Sequence, residues 1–240
     1  RGAVMTLLHP PRFSTWLLGH LLCRVDDVRD AVAITFDDGP SRRNTPAILD
    51  LLARHGAHAT FFTLAPNVSR LPELVRRIAA EGHELALHGD RHWPMPALWP
   101  DLLRLEVQRS ADALERVAGV RARCFRPPFG LMFPSQARFV AAMGYLPVLG
   151  DIYPEDPHRP GVGRIVSRTV VRLAPGSILI LHDGSPIGEA DRGQTVEALA
   201  RILKYMTERG LRGVSVSELL AATPEETQVV EEVLMNGGTR

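Results

Sequence analysis

Cysteine is scarce in this chain of 240 residues, which contains only Cys23 and Cys124. Because the two lie far apart in the sequence, a disulfide framework and a zinc site built from thiolates are excluded. A surplus of charge of one sign is lacking as well, since 28 Lys and Arg stand against 27 Asp and Glu. This balance gives no electrostatic reason to expect a nucleic acid or an anionic membrane as the main partner.

Long apolar runs are also missing, and none reaches the roughly 20 residues of a transmembrane helix. The most apolar stretch, Phe13–Cys23, is interrupted by Gly19 and His20. We interpret residues 1–30 as an apolar segment whose helix covers the fold, in preference to membrane contact through Phe13–Cys23. Residues 31–221 are expected to form one domain, and residues 222–240 a partly disordered tail.

Seven short β-like runs alternate with helical runs along the predicted domain. The predicted strands are Val32–Phe36, Ala59–Thr63, Glu84–His88, Cys124–Arg126, Leu146–Leu149, Ser177–Leu181 and Gly213–Val216. Because parallel strands need helical connections, this alternation predicts an α/β fold with a parallel sheet, which we expect to close into a barrel. No glycine-rich phosphate loop follows the first strand, so the signature of a dinucleotide fold is absent and no organic cofactor is predicted.

Ionisable residues follow the ends of five of these strands. They are Asp37, Asp38, His88, Arg126, Asp151, Asp156, His182 and Asp183. The C-terminal ends of the strands of a parallel barrel meet at one rim, which is where such folds build active sites. The sequence therefore predicts that these side chains converge on one site.

Two imidazoles and one carboxylate make a candidate metal site. His88 and His92 lie four residues apart in the stretch HGDRH, close enough to share one ion if the chain turns at Gly89. Asp38 supplies an anionic third ligand. Three protein ligands leave a coordination position open for water or substrate, as in a hydrolytic site. Zn²⁺ is the preferred ion for this ligand set, with Co²⁺, Ni²⁺ and Mn²⁺ as alternatives.

Other residues of the predicted rim are suited to proton transfer. Asp37 and Asp38 point to opposite faces of the strand end, so one can bind metal while the other acts as a base. Arg126 can hold a neighbouring carboxylate ionised, and the two prolines that follow it stiffen the loop and can aim the N–H of Phe129 at a ligand. His182 ends an apolar strand and has an ordinary pKa near neutrality, which suits a proton donor.

The ordered motifs TFDDGP, ATFFT, HGDRH, RPPFG and LHDG resemble those of the polysaccharide deacetylase family, also described as NodB homology or carbohydrate esterase family 4 domains. The resemblance runs from about Val32 to Leu220. It implies a distorted (β/α)7 barrel, related to the TIM barrel, that removes N-acetyl and sometimes O-acetyl groups from amino sugars in chitin, peptidoglycan or related glycans. An acetylated amino-sugar glycan is then the expected substrate, and the cell envelope or exterior is favoured over the cytoplasm.

The resemblance also assigns roles to residues at matching positions. It makes Asp37 the general base, His182 the general acid and Arg126 the residue that positions the base. The backbone N–H of Phe129 would stabilise the oxyanion, and Asp156 would tune the acid. The metal ligands that it implies are Asp38, His88 and His92, and Asp151 is an alternative to Asp156.

The sequence departs from the family pattern at three positions. Pro157 stands where Trp is expected beside the sugar, Gly89 where Ser or Thr is common, and Phe129 where Tyr is frequent. The missing Trp leaves open a hydrolase of another small C–N amide on the same fold, which the complete Asp-His-His set disfavours. A glycan-binding barrel without activity is a second alternative, which is disfavoured because no catalytic group is missing. The sequence does not decide between polymeric, lipid-linked and small substrates, and it does not indicate an oligomeric state.

Overall fold

The structure is a computed structural model that describes residues 21–223. Its centre is a parallel sheet of seven strands, in which β1 (Ala31–Gly39) is buried along its whole length. The other strands are β2 (Thr60–Thr63), β3 (Glu84–Leu87), β4 (Cys124–Phe125), β5 (Leu146–Pro147), β6 (Ile178–His182) and β7 (Arg212–Val214). All seven predicted strands are therefore present.

The strands follow the order β5-β4-β3-β2-β1-β6, and β7 pairs with the first residues of β1. Short bridges connect the two ends of this curled sheet, where Leu22 pairs with Val148 and Ile152 pairs with Leu179. The chain segment before β1 thus fills the gap between β5 and β6. The prediction of a distorted (β/α)7 barrel is confirmed.

Eight α-helices occur within the described residues and connect or flank the strands. They are α1 (Thr45–Arg54), α2 (Ala65–Arg70), α3 (Pro72–Ala80), α4 (Pro100–Ala118), α5 (Pro134–Ala142), α6 (Val162–Val170), α7 (Gly193–Glu208) and α8 (Val216–Ala221). The first five carry a proline in the first turn, where the missing N–H costs nothing because that donor has no partner inside a helix. Helix α2 was not predicted, since six residues are too few for a helical period to show.

The side chains of β1 alternate between two apolar layers. Val32, Ile34 and Phe36 pack with the surrounding helices, whereas Ala31 and Ala33 pack inside the barrel with residues of the other strands. This alternation is the ordinary period of a strand with two buried faces.

The predicted helix over Phe13–Cys23 lies mostly outside the described residues. Only its last three residues are described, and there the prediction is wrong, because Leu22 forms the bridge to Val148 and none of the three is helical. Membrane contact through this stretch stays a prediction, as do the domain bounds.

Almost all of the predicted tail also lies outside the described residues. From residue 21 to residue 223, no helix has both the length and the apolar character needed to cross a bilayer.

We predict that His83, which precedes β3, makes folding sensitive to acid. Its ring is buried beside Phe61 and His58, and neither ring nitrogen has a hydrogen-bond partner among the described residues. Burial, with a smaller contribution from His58, lowers the pKa of His83 to about 4. The imidazole of His83 takes up a proton near pH 6.5 in the unfolded chain but only near pH 4 in the folded protein. The free energy of unfolding therefore has its full value above pH 6.5 and falls by up to about 3 kcal/mol as the pH drops towards 4.

The substitution His83→Leu removes this proton uptake. We expect urea unfolding of the metal-free variant between pH 7 and 4.5 to show a smaller loss of unfolding free energy than the parent protein. His55→Leu, at an exposed position after α1, is the control and should keep the parent's pH dependence. An equal loss in the parent and in His83→Leu would contradict the prediction.

Candidate active site

A cavity of about 390 Å³ opens at the C-terminal ends of the strands. Strands β1, β3, β4 and β6, or the loops directly after them, supply most of the polar groups in its wall. Seven of the eight predicted site residues line it: Asp37, Asp38, His88, His92, Arg126, Phe129 and His182. The predicted convergence is therefore found in the structure, and the eighth residue, Asp156, lies directly behind His182.

Asp37 forms a buried ion pair with Arg126. The guanidinium Nη1 donates to Asp37 Oδ1 at 2.6 Å and to Thr35 Oγ1 at 2.7 Å, and the guanidinium carbon lies 4.0 Å from the centre of the Phe62 ring. Burial alone would raise the pKa of Asp37, but the charge of Arg126, helped by the nearby imidazoles, lowers it below its usual range. The Asp37 carboxylate is therefore held ionised at the cavity wall.

Asp38, His88 and His92 bring three ligand atoms within 4.8 Å of one another. Asp38 Oδ1 lies 3.5 Å from His88 Nε2 and 3.2 Å from His92 Nε2. These separations are close to the roughly 3.3 Å between neighbouring ligands of a tetrahedral zinc ion with bonds of about 2.0 Å. Asp38 and His92 have φ angles of +70° and +55°, so the backbone adopts an unfavourable conformation at two of the three ligands.

The surroundings of these three side chains fit a cation. Asp38 Oδ1 is buried without a hydrogen-bond partner among the described residues. His88 Nδ1 lies 2.8 Å from the carbonyl oxygen of Arg126, so Nδ1 carries the proton and the lone pair of Nε2 faces Asp38. Burial lowers the pKa of both His88 and His92 to about 4, and the imidazoles are therefore neutral. An orphaned carboxylate oxygen, the free lone pair of His88 Nε2 and a second neutral imidazole form a donor set that suits a divalent metal.

His182 ends β6 next to Asp37 of β1 and is held by Asp156. The His182 backbone N–H donates to Asp156 Oδ2 at 3.0 Å, and its ring Nδ1 lies 3.0 Å from Oδ1. Thr195 donates a third hydrogen bond to the same buried carboxylate at 2.8 Å. Burial would lower the pKa of His182, but Asp156, followed by Asp37 and Asp38, raises it to about 9. This imidazole is thus a proton carrier at neutral pH.

Asp151, the alternative partner for His182, also lines the cavity, but its carboxylate bonds to other groups. Its carboxylate accepts hydrogen bonds from the N–H of Ile178 at 2.7 Å, from Ser177 Oγ at 3.1 Å and from Arg24 Nη1 at 3.2 Å. These contacts tie the segment before β1 to β6 and help to close the barrel. The geometry thus favours Asp156 over Asp151 as the residue that orients His182.

The glycine of LHDG permits the chain after β6 to approach the end of β1 at the site. A Cβ atom at Gly184 would overlap the backbone carbonyl of Asp38, so no larger residue fits there. The preceding Asp183 is fully buried and accepts a hydrogen bond from the Thr45 hydroxyl. Burial raises the pKa of Asp183 to about 7. Asp183 does not line the cavity and supports the turn after β1 instead.

Three polar residues of the cavity were missed in the sequence: Tyr153, His158 and Arg192. Tyr153 lines the wall with its ring 6.1 Å from that of His182. Arg192 is buried at the cavity, where its Nε donates to the Gly184 carbonyl at 3.0 Å and its Nη1 to the Pro157 carbonyl at 3.1 Å. Tyr153 could have been found from its place beside Asp151 in the stretch DIYPEDP, but no spacing signal pointed to Arg192.

Comparison with known proteins places the chain among glycan deacetylases. A sequence model of the family described as polysaccharide deacetylase matches residues 24–148. A chitooligosaccharide deacetylase from a Bradyrhizobium species is 38% identical over 195 residues, which cover 75% of this chain and 86% of that protein. A peptidoglycan-N-acetylglucosamine deacetylase from Bacillus cereus is 36% identical over 215 residues, covering 89% of this chain and 95% of the relative.

The fold is also similar to that of solved deacetylase structures. The solved structure of a peptidoglycan deacetylase from Bacillus subtilis superimposes with a TM-score of 0.74 at 29% sequence identity, covering 88% of this chain and 99% of that one. The sequence matches extend over most of both chains, so the likeness is not confined to short motifs. By fold and by sequence, the chain belongs to the polysaccharide deacetylase family.

Proposed function

We propose that this protein is a metal-dependent hydrolase that removes N-acetyl groups from an amino-sugar glycan and releases acetate. The observation that carries the proposal is the meeting, in one cavity, of a three-ligand metal site, an ionised carboxylate and a protonated imidazole. The relatives named as chitooligosaccharide and peptidoglycan deacetylases support the substrate class. Peptidoglycan, the substrate named for one of these relatives, is a cell-envelope polymer, and we propose that the enzyme acts in the envelope or outside the cell.

Asp38, His88 and His92 would hold the metal, and we propose Zn²⁺ as the ion because two imidazoles and one carboxylate suit it. When bound, the ion supplies Lewis acidity, which makes water more acidic and the acetamide carbonyl more electrophilic. The lowered pKa values of the two histidines keep their rings neutral, so that each has one unprotonated nitrogen to bind the ion at neutral pH.

The remaining residues move the protons of the reaction. Asp37 takes a proton from the attacking water while the water oxygen bonds to the acetamide carbon, and Arg126 keeps this base ionised and in place. The backbone N–H of Phe129 donates to the oxygen that becomes negative. His182 then gives its proton to the sugar nitrogen as the C–N bond breaks, and Asp156 stabilises the imidazolium before transfer. The products are acetate and a free amine.

The first test concerns the base. Asp37→Asn retains the three metal ligands but cannot accept the proton, so we expect normal zinc content and a kcat lower by about two to four orders of magnitude. Acetate release from acetylated chitooligosaccharides measures the rate, and elemental analysis measures the metal. Turnover of Asp37→Asn near the parent rate would remove Asp37 from the mechanism. If the parent protein hydrolysed only small cyclic amides, the alternative function, a hydrolase of another small C–N amide, would be favoured.

The second test concerns the ligands. His88→Ala deletes one of three donors, and we expect the purified protein to lose its zinc on dialysis while the parent retains one ion per chain. His158→Ala is the matched control, because this histidine lines the same cavity without belonging to the ligand group. Equal metal content in both variants would contradict the ligand assignment.

The third test concerns the acid. Asp156→Asn removes the charge that raises the pKa of His182, so His182 loses its proton at lower pH. We expect the alkaline limb of the kcat/KM profile to move down by at least about one pH unit. Asp151→Asn should leave this limb in place, since its carboxylate faces Ile178 and Ser177. If the limb moved only in Asp151→Asn, Asp151 and not Asp156 would be the residue that raises the pKa of His182.

A further inference from the structure

The loop between the two histidines, residues 89–91, has an unusual conformation and will be called the histidine loop. Gly89 at its start has a φ of +93°, and His92 directly after it has a φ of +55°. His88 before the loop is secured independently, because its N–H donates to the Thr63 carbonyl and its ring meets the Arg126 carbonyl. The position of His92 therefore depends on what holds the histidine loop.

A buried carboxylate holds the N–H groups of this loop, while the N–H of Ala65 donates to the Gly89 carbonyl at 3.1 Å and anchors the start of the loop. Glu106, in the second turn of α4, is 5% exposed, and its Oε2 accepts hydrogen bonds from the N–H groups of Asp90 at 2.9 Å and Arg91 at 2.8 Å. A buried carboxylate is costly unless it is hydrogen bonded, and charge-assisted bonds to N–H groups are among the strong ones. Both of these bonds go to the histidine loop.

The loop and the carboxylate are fitted to each other. A Cβ atom at Gly89 would lie 3.2 Å from Glu106 Oε2, which is tighter than an ordinary contact. Glycine therefore serves two needs here: it adopts the positive φ and it lets the carboxylate approach the backbone. A second tie between α4 and the loop, from Arg109 Nη1 to Asp90 Oδ2 at 3.3 Å, lies at the surface. Exposed pairs of this kind contribute little.

We propose that Glu106 is a positioning residue for the metal site: its carboxylate fixes the histidine loop so that His92 faces Asp38, and it thereby sets the affinity for the metal. The inference rests on the proposed metal site. His92 Nε2 lies 3.2 Å from Asp38 Oδ1 in the arrangement that the two hydrogen bonds maintain. Residues that orient metal ligands typically change the affinity by 10- to 100-fold when they are replaced.

The test is a zinc titration of metal-free protein against a chromophoric chelator. We expect Glu106→Ala to raise the zinc Kd by about 10- to 100-fold, and Glu106→Gln by less because its amide oxygen still accepts. Excess zinc should restore much of the kcat of Glu106→Ala, which a purely structural defect would not allow. Arg109→Ala and Glu115→Ala, on the same helix, are the controls and should keep the parent Kd.

Gly89→Ala keeps the charge of Glu106 but strains the loop at a φ of +93° and crowds its contact with Oε2, and we expect it to raise the Kd as well. This variant separates positioning from a loss of negative charge and decides the question if Glu106→Ala does not fold. An unchanged Kd in folded Glu106→Ala, or in Gly89→Ala, would overturn the role of Glu106. A parent protein that binds no zinc would instead refute the proposed metal site.

Discussion

The buried ion pair between Asp37 and Arg126 is the interaction on which the rest of the site depends. Arg126 donates to Asp37 and to Thr35 of the same strand, and its own carbonyl accepts from His88. One residue thus holds the base ionised and turns the first imidazole towards Asp38. Burying two charges gains little stability, because the cost of removing them from water offsets their attraction. The value of the pair lies in the arrangement that it imposes on the cavity.

The histidines of the cavity show how the fold gives one residue type two opposite tasks. Burial dominates at His88 and His92 and lowers their pKa to about 4, which leaves neutral rings with free lone pairs. At His182 the charge of Asp156 overcomes burial and raises the pKa to about 9. The difference comes mainly from Asp156 on the loop after β5, with smaller contributions from Asp37 and Asp38. The neighbouring groups therefore decide which histidine is a neutral ligand and which is a proton donor, although the side chain is the same.

Much of this arrangement was predictable from the sequence, because it depends on local patterns. The alternation of strands and helices gave the parallel barrel, and the ends of the apolar runs marked the rim where Asp37, His88 and His182 meet. The features that were missed depend on contacts between distant parts of the chain. Glu106 reads as an ordinary helix residue until α4 packs beside the histidine loop, and nothing local separates Asp151 from Asp156. Closure of the barrel through Leu22 could not be predicted either, since its partner Val148 lies far along the chain.

Anomalous X-ray scattering at the zinc edge, recorded from crystals of the zinc-loaded protein, tests the central claim most directly. We expect one peak within bonding distance of Asp38 Oδ1, His88 Nε2 and His92 Nε2, in the cavity that Asp37 and His182 also line. A peak at other residues would contradict the proposed metal centre and the hydrolysis derived from it. So would the absence of a peak, provided that the protein binds zinc in solution at the pH of the crystals.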